Sequence, residues 1–290
     1  MGFPKRKAKW CRMSAFGLAV VGIKYLIVSK IKLIQAKLER AEKHIADIDT
    51  AIRLFFESNP YVIVARQDQQ TGDYISYVES VRDVPADVSL IAGDALHNTR
   101  SALDHLAWQL VASTGSTPGP STSFLIFDTA TGYESGSKRK VRGMRQAAID
   151  AIGALRPYRA GNLRLWQLHR LDIIDKHRMV VTAGSALRGS TIMPSVRNKL
   201  LDAFMARRLP GEPIPDYKSL RGRPHVINHA LKKGDIIHRV SESDRDENTR
   251  FTFEVAFAEP EVIEGEPVIQ TLYQFFKLAG QIVSDFEPML

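Results

Sequence analysis

The chain has 290 residues, of which 44% are hydrophobic and 25% charged. These values are ordinary for a folded globular protein and exclude a fibrous repeat or global disorder. The net charge is +8, but residues 1–32 hold eight of the 40 basic residues and no acid, so the remainder balances 32 basic against 32 acidic residues. Overall basicity therefore does not support a nucleic-acid groove in the folded part. A single cysteine, Cys11, excludes an intrachain disulfide and a cysteine-based zinc site, and fits a reducing, cytoplasmic location.

The first segment, residues 1–32, joins basic residues to the apolar run "SAFGLAVVGI" (14–23). Lys24 interrupts this run, which leaves it shorter than the roughly 20 apolar residues that a membrane-spanning helix needs. No small-x-small cleavage site ends it. The basic, amphipathic character allows contact of residues 14–29 with a membrane surface, and the alternative is that residues 1–32 are disordered.

Residues 33–183 are predicted to form a helical bundle that contains a β-hairpin. Apolar residues recur every three or four positions from Ile34 to Phe55, which predicts one long helix ending near residues 58–60. The run "YVIVARQDQQTGDYISYVES" (61–80) predicts the hairpin. A second long helix is predicted over 84–113, and Gly115 closes it.

The rest of the chain is predicted to mix helices and strands, so the fold class is α+β, with a small sheet and a C-terminal helix in the second half. Residues 184–220 are rich in Arg and Pro and form the candidate linker, and residues 221–290 are expected to pack on the bundle. The local expectations are a buried strand at "FLIF" (124–127), a loop at "YESGSKRK" (133–140), helices over 141–155, 162–181 and 197–208, and strands at "DIIHRV" (235–240) and "RFTFEVAF" (250–257).

The predicted helix over 84–113 has two unlike sides at 100° per residue. Its apolar side is expected to face the core and comprises Ala95, Leu96, Ala102, Leu103, Leu106 and Leu110. Its polar side comprises Asp94, His97, Asn98, Arg100, Ser101, Asp104 and His105. Neither Lys nor Glu occurs between Val88 and Ser116, although a solvated helix face normally uses those residues. The polar side is therefore expected to meet partners in a pocket, an interface or a buried network.

A second polar cluster lies in "LHRLDIIDKHR" (168–178). Asp172 and Lys176 form an i,i+4 pair in the favourable order, His169 can contact Asp172, and His177 follows. We expect this segment to face the first polar helix. The candidate binding residues are Asp94, His97, Asn98, Ser101, Asp172, Lys176 and His177.

Two hypotheses for these clusters come from the residues alone. In the first, the two helices exchange hydrogen bonds and ion pairs that fix their register, and the bundle is not catalytic. In the second, the polar face binds a small ligand or a metal through nitrogen and oxygen atoms. No tight motif such as H-E-x-x-H supports a metal site, and no cofactor is predicted. The metal ligands to consider are His97, Asp104, His105, His169, Asp172 and His177.

The third hypothesis comes from a resemblance. "RSALDH" (100–105) places Arg100 four residues before His105, which resembles the Arg-x4-His motif of the HEPN superfamily over about residues 35–120. "GDALHNTRSALDHL" with "LDIIDKHR" also resembles a group of uncharacterised bacterial proteins that share those blocks. The superfamily resemblance implies a metal-independent endoribonuclease that acts on RNA, usually as a homodimer. Its candidate catalytic residues here are Arg100, Asp104 and His105.

The chemistry of that third hypothesis suits these residue types. Metal-free RNA cleavage needs an acid or base and a cation for the charged phosphorane. A histidine such as His105 supplies the first near neutral pH, and Arg100 offers a permanent charge with a fork of donors. The two side chains point about 140° apart on one helix, so we expect a second chain to supply the opposing motif.

Overall fold

A computed structural model describes residues 15–180, 182–191, 231–242 and 250–290 of the chain. The predicted helix over 197–208 and most of the candidate linker lie outside the described residues, as do residues 1–14. The described part is α+β, as predicted, with helices and two small antiparallel sheets.

The described elements follow one another without a long gap from residue 15 to 191. They are α1 (Ala15–Glu57), β1 (Tyr61–Gln67), β2 (Tyr74–Val81), α2 (Ala86–Ala112), α3 (Ala130–Lys140), α4 (Gln146–Ala154), α5 (Leu163–His177), β3 (Thr182–Thr191), β4 (Ile236–Val240), β5 (Arg250–Glu259), β6 (Ile263–Pro267) and α6 (Val268–Phe286). A short 3₁₀ helix, Glu287–Met289, ends the chain.

The first long helix is confirmed, but it begins earlier than the apolar pattern indicated. α1 starts at Ala15 and runs unbroken through residue 33, so the predicted boundary between residues 32 and 33 lies inside a helix. Residues 15–32 form the first part of this helix. The helix ends before Pro60, where Asn59 adopts a positive φ of 51°. No helix among the described residues is long and apolar enough to cross a membrane.

The predicted hairpin is confirmed as the antiparallel pair β1–β2. A third strand, β4, comes from the second half of the chain. It pairs antiparallel with β2 and completes a sheet of order β1-β2-β4. The second sheet has the order β3-β5-β6, with β5 in the centre. The sequence predicted strands near 235–240 and 250–257 but not that they belong to different sheets.

Two local predictions between α2 and α4 are wrong. Residues 124–127 form no strand, although Phe124, Leu125 and Ile126 are buried, and the segment makes a single parallel bridge between Phe127 and Tyr158. Residues 133–140 are not a loop but most of α3. The side chain of Thr129 caps this helix by accepting from the amide of Gly132, and basic residues in the last turn suit the negative end of the helix dipole.

One hydrophobic core joins α1, α2, α5 and α6. The apolar side of α2 is buried as predicted, with every residue from Ala95 to Leu110 on that side 0–1% exposed. The Phe124 ring meets the Phe286 ring of α6, with centroids 6.4 Å apart. The bundle and the C-terminal elements therefore bury their apolar surface against each other, and the polar side of α2 is left to face α5.

Candidate functional site

The polar side of α2 lies against α5, as predicted, along a line of contacts that we call the α2–α5 seam. Its contacts run in opposite directions along the two helices and join Gly93 to Asp175, His97 to Asp172 and Arg100 to His169. At Gly93, an added Cβ would come within 2.2 Å of the Asp175 Oδ1 atom. Glycine therefore allows the two helices to approach closely at this end of the seam.

Arg100 lies at the opposite end of the seam and is only 3% exposed. Its Nη1 donates to the Asp104 Oδ1 atom at 2.6 Å, and its Nη2 donates to the backbone oxygen of Phe124 at 2.9 Å. Its Nε donates to the Nδ1 atom of His169 at 3.3 Å. All three nitrogens of the guanidinium thus have a partner inside the protein, and the side chain is fixed in place.

Asp104 completes a ring of bonds with Arg100 and the backbone of Phe124. The same Oδ1 atom that accepts from Arg100 also accepts from the amide of Phe124 at 2.8 Å. The Arg100–Asp104 pair therefore satisfies both the amide and the carbonyl of Phe124, the two groups that a neighbouring strand would otherwise bind. This explains why residues 124–127 are buried and yet are not a strand.

His169 is held neutral beside this ring. Burial, the charge of Arg100 and then the charge of Lys140 lower its pKa from 6.5 to about 3. Because Nδ1 accepts from Arg100, the neutral ring carries its proton on Nε2. His169 is therefore an acceptor for a buried cation and is poorly suited to titrate near neutral pH.

The middle of the seam holds a different histidine environment. The His97 side chain is 49% exposed, and its Nδ1 lies 3.1 Å from Oδ1 of Asp172, whose side chain is only 3% exposed. The Lys176 Nζ atom donates to the other Asp172 oxygen at 2.5 Å. The Ser101 hydroxyl lies 3.3 Å from the Nε2 atom of His97. We call these four residues the His97 cluster.

The Asp172 carboxylate defines the proton positions in the His97 cluster. A carboxylate only accepts, so Nδ1 of His97 carries a proton and donates it to Asp172, and Nε2 of the neutral ring is the acceptor. The Ser101 hydroxyl then donates to Nε2. A half-exposed histidine held by a buried carboxylate, with an unprotonated second nitrogen that accepts from a serine hydroxyl, is the arrangement of a general base.

The other predicted residues lie beside the His97 cluster rather than in it. Asn98 donates from its amide to the backbone oxygen of Asp94 at 2.8 Å and accepts from Lys37 of α1 at 3.3 Å. His105 is partly buried, about 80° around α2 from His97. His177 is exposed at the end of α5.

Several residues of the site carried little indication in the sequence. Lys140 lies in a basic run typical of a solvated surface, yet its Nζ donates to the hydroxyl of Ser123 at 3.3 Å beside Arg100 and His169. Phe124 takes part through its backbone amide and carbonyl. Such groups give no indication in the sequence because they do not depend on the side chain. Gly93 was the one available indication, since a glycine in a helix interior costs stability unless close packing requires it.

Metal ligation finds no geometric support in the described residues, where no group of three or more His, Cys, Asp or Glu side chains could hold an ion. Comparisons with protein-family models, with curated proteins and with solved structures find no match to this chain. The inference of function therefore depends on the α2–α5 seam.

Proposed function

We propose that the chain is a metal-independent endoribonuclease in which His97 is the general base. The observation that carries this proposal is the half-exposed His97, whose Nδ1 faces the buried carboxylate of Asp172. We therefore assign the proton-transfer role to His97, whereas the Arg-x4-His spacing assigns it to His105.

The reaction requires one proton acceptor and one source of positive charge. Nε2 of His97 takes the proton of the ribose 2′-hydroxyl, whose oxygen then attacks the adjacent phosphorus. The bond from phosphorus to the 5′-oxygen breaks, and that oxygen takes a proton from solvent. The products are a 2′,3′-cyclic phosphate and a 5′-hydroxyl. Lys176 lies beside Asp172 and supplies positive charge near the phosphorane.

The surroundings of Ser101 favour phosphodiester over acyl chemistry. A serine, a histidine and an aspartate in this order are also the arrangement of a serine hydrolase. Ser101, however, lies inside α2, where the backbone amides are committed to the helix. Acyl transfer by a serine relies on free amides that stabilise the oxyanion. We therefore assign Ser101 a positioning role toward His97 rather than a nucleophilic one.

Arg100 supports a second candidate function, in which the polar face of α2 is a structural network in a non-catalytic bundle. Its burial and its three internal partners are what such a network requires. Both proposals treat Arg100 and Asp104 as structural. The proposals differ only in whether the His97 cluster performs chemistry. The homodimer and the cytoplasmic location implied above remain part of the nuclease proposal.

The decisive test is cleavage of a mixed-sequence, end-labelled RNA by the full chain in the presence of EDTA. His97→Asn keeps a donor toward Asp172 and removes the proton acceptor. We expect this variant to cleave at least about 100-fold more slowly, the usual loss when a general base is removed. Product ends are identified by their reactivity with phosphatase and kinase.

Two further variants make the test selective. His238→Asn replaces a partly buried histidine on β4 and should cleave as the parent does. His105→Asn separates the two assignments of the base. Loss of activity in His105→Asn with full activity in His97→Asn returns the role to the Arg-x4-His motif, and no cleavage by the parent chain favours the non-catalytic bundle.

A further inference from the structure

Lys140 is a partly buried cation close to the Arg100 end of the α2–α5 seam. It is the last residue of α3, and its Nζ donates to the Ser123 hydroxyl at 3.3 Å and lies 5.4 Å from the centroid of the Phe127 ring. Among the described residues no carboxylate forms an ion pair with it. The acid that acts on it electrostatically is Asp104, and Asp104 is already paired with Arg100.

Arg100 and His169 both lie near Lys140. Burial and the charge of Arg100 lower the pKa of Lys140, and Lys140 in turn contributes to the low pKa of His169. The acids that oppose these effects are Asp104, which is paired with Arg100, and Asp128, which accepts from the Trp166 indole. Bringing a second cation next to a buried guanidinium costs free energy unless an anion compensates it.

The anion can reach this place from solvent. The side chains of Lys140, Ser123 and Asp104 are only partly buried, so the rim of the cluster is open. Lys140 offers an ammonium with three donors and Ser123 offers a hydroxyl. Arg100 bonds the backbone oxygen of Phe124, the residue after Ser123, and is itself paired with Asp104. These groups match a tetrahedral oxyanion, which accepts several hydrogen bonds and carries negative charge.

We propose that Lys140 and Ser123, backed by Arg100, bind a phosphate group, and that this phosphate belongs to the backbone of a single-stranded RNA. The RNA part rests on the proposed nuclease function. Arg100 lies three residues beyond His97, less than one helical turn of about 5.4 Å along α2. A strand following the seam can therefore place one phosphate at the His97 cluster and a neighbouring one at Lys140.

The phosphate site is tested with inorganic phosphate as the probe, at constant ionic strength, by calorimetry and by the shift in melting temperature of the full chain. We expect phosphate to stabilise the parent chain more than chloride does. Lys140→Gln should weaken phosphate binding by about tenfold or more, and Ser123→Ala by less. Lys140→Arg, which keeps the charge, should bind within about threefold of the parent.

Lys138→Gln is the matched control, because Lys138 is exposed and two residues away on the same helix. Equal phosphate binding by the Lys138→Gln and Lys140→Gln variants would overturn the proposal, as would a parent chain on which phosphate acts no differently from chloride. A Lys140→Gln chain that unfolds leaves Lys140→Arg and Ser123→Ala to decide by the same titration.

A single-stranded DNA decamer, which lacks the 2′-hydroxyl and is not cleaved, identifies the source of the phosphate. We expect its affinity to fall in Lys140→Gln and its salt dependence to lose about one counterion. Phosphate binding that needs Lys140, with decamer binding that does not, would assign the site to a small phosphorylated ligand and reject the RNA backbone. Phosphate binding that needs Lys140, in a parent chain that cleaves no RNA, would support the phosphate site and reject the nuclease proposal, so the two can fail separately.

Discussion

The two histidines of the α2–α5 seam, His169 and His97, have opposite roles because their surroundings differ. His169 lies beside the buried Arg100 and has its pKa lowered to about 3, while His97 is half-exposed against the buried carboxylate of Asp172. One histidine is a neutral acceptor that completes a network. The other is oriented by an acid, is half-exposed, and has an unprotonated nitrogen that accepts from the Ser101 hydroxyl. The partner and the exposure, rather than the residue type, decide whether a histidine is structural or reactive.

The same comparison separates two cations. Arg100 donates to Asp104, Phe124 and His169 inside the protein. Lys176 is half-exposed and pairs with Asp172. Substitutions at the Arg100 end should therefore act mainly on stability, and those at the His97 end mainly on activity.

Arg100→Met should give the largest loss of stability. It removes the partner of Asp104 and leaves the carbonyl of Phe124 buried without a donor. We expect the free energy of unfolding to fall by about 2–4 kcal/mol, below the upper range for a broken buried ion pair because Asp104 keeps some solvent access. Urea unfolding followed by circular dichroism measures the change.

Arg53→Met is the control for this arginine. Arg53 pairs with Glu57 at i,i+4, but both side chains are more than half exposed, so its loss should change stability by less than about 0.5 kcal/mol. An Arg100→Met chain that is as stable as Arg53→Met but no longer cleaves RNA would show that Arg100 serves catalysis, as the Arg-x4-His spacing predicts.

Gly93→Ala should destabilise the chain by about 1–3 kcal/mol, the usual cost of overpacking. The new methyl group would collide with the Asp175 carboxylate, and the gain in helix propensity offsets only part of that cost. Gly280→Ala is the control, because an added Cβ there meets nothing within 4 Å, and it should be neutral or slightly stabilising.

The double variant Gly93→Ala/Asp175→Ala tests the cause of the Gly93 effect. If contact with Asp175 is responsible, the double variant should recover most of the loss, and the two changes should be strongly non-additive. Additive losses would instead place the strain in the helix backbone and would contradict the close approach of α2 and α5 at this point.

The periodic parts of the fold could be predicted from the sequence because local pattern and burial agree there. The stripe from Ile34 to Phe55 and the apolar side of α2 repeat with the helical period, and both are buried except for the partly buried Leu38. The facing of α2 and α5 also followed, since each carries polar residues opposite an apolar side. What the sequence lacked was the pairing across the seam, which depends on the register of two helices about 75 residues apart.

Segments stabilised by non-local or side-chain contacts could not be predicted. "FLIF" has the composition of a strand, but the Arg100–Asp104 pair takes its backbone bonds at Phe124. The residues of α3 have weak helix propensity, and the helix forms with a Thr129 cap and a basic last turn. The sequence around Lys140 predicts an exposed side chain, because nothing local indicates that Arg100 and His169 lie beside it.

Acidification should expose the structural role of His169. Above pH 6.5 the histidine is neutral in both the folded and the unfolded chain, and it contributes nothing to the pH dependence. Below 6.5 the unfolded chain gains a proton that the folded protein refuses until about pH 3, so stability falls as pH falls. The slope approaches about 1.4 kcal/mol per pH unit. His169→Asn keeps an acceptor for Arg100 and should lose about 1–2 kcal/mol less than the parent between pH 7 and pH 5.

The comparison between pH 7 and pH 5 cancels the other titrating groups, because they are common to both chains. Thermal unfolding at matched ionic strength gives the two slopes. Equal losses on acidification in the parent and in His169→Asn would mean that His169 takes up its proton in the folded state, and the description of a partly buried, neutral acceptor would be wrong.

Among the substitutions in the seam, the smallest effect on stability is expected from His97→Ala, although His97 lies on the same seam as Arg100. His97 is half-exposed and leaves behind an Asp172 that still accepts from Lys176, so the change should remain below about 1 kcal/mol, partly offset by the better helix propensity of alanine. A large loss of stability together with unchanged RNA cleavage would make His97 structural and extend the network over the whole seam. A stable His97→Ala chain that has lost its cleavage activity would instead keep the two environments distinct, since one substitution would then remove chemistry without disturbing the fold that positions it.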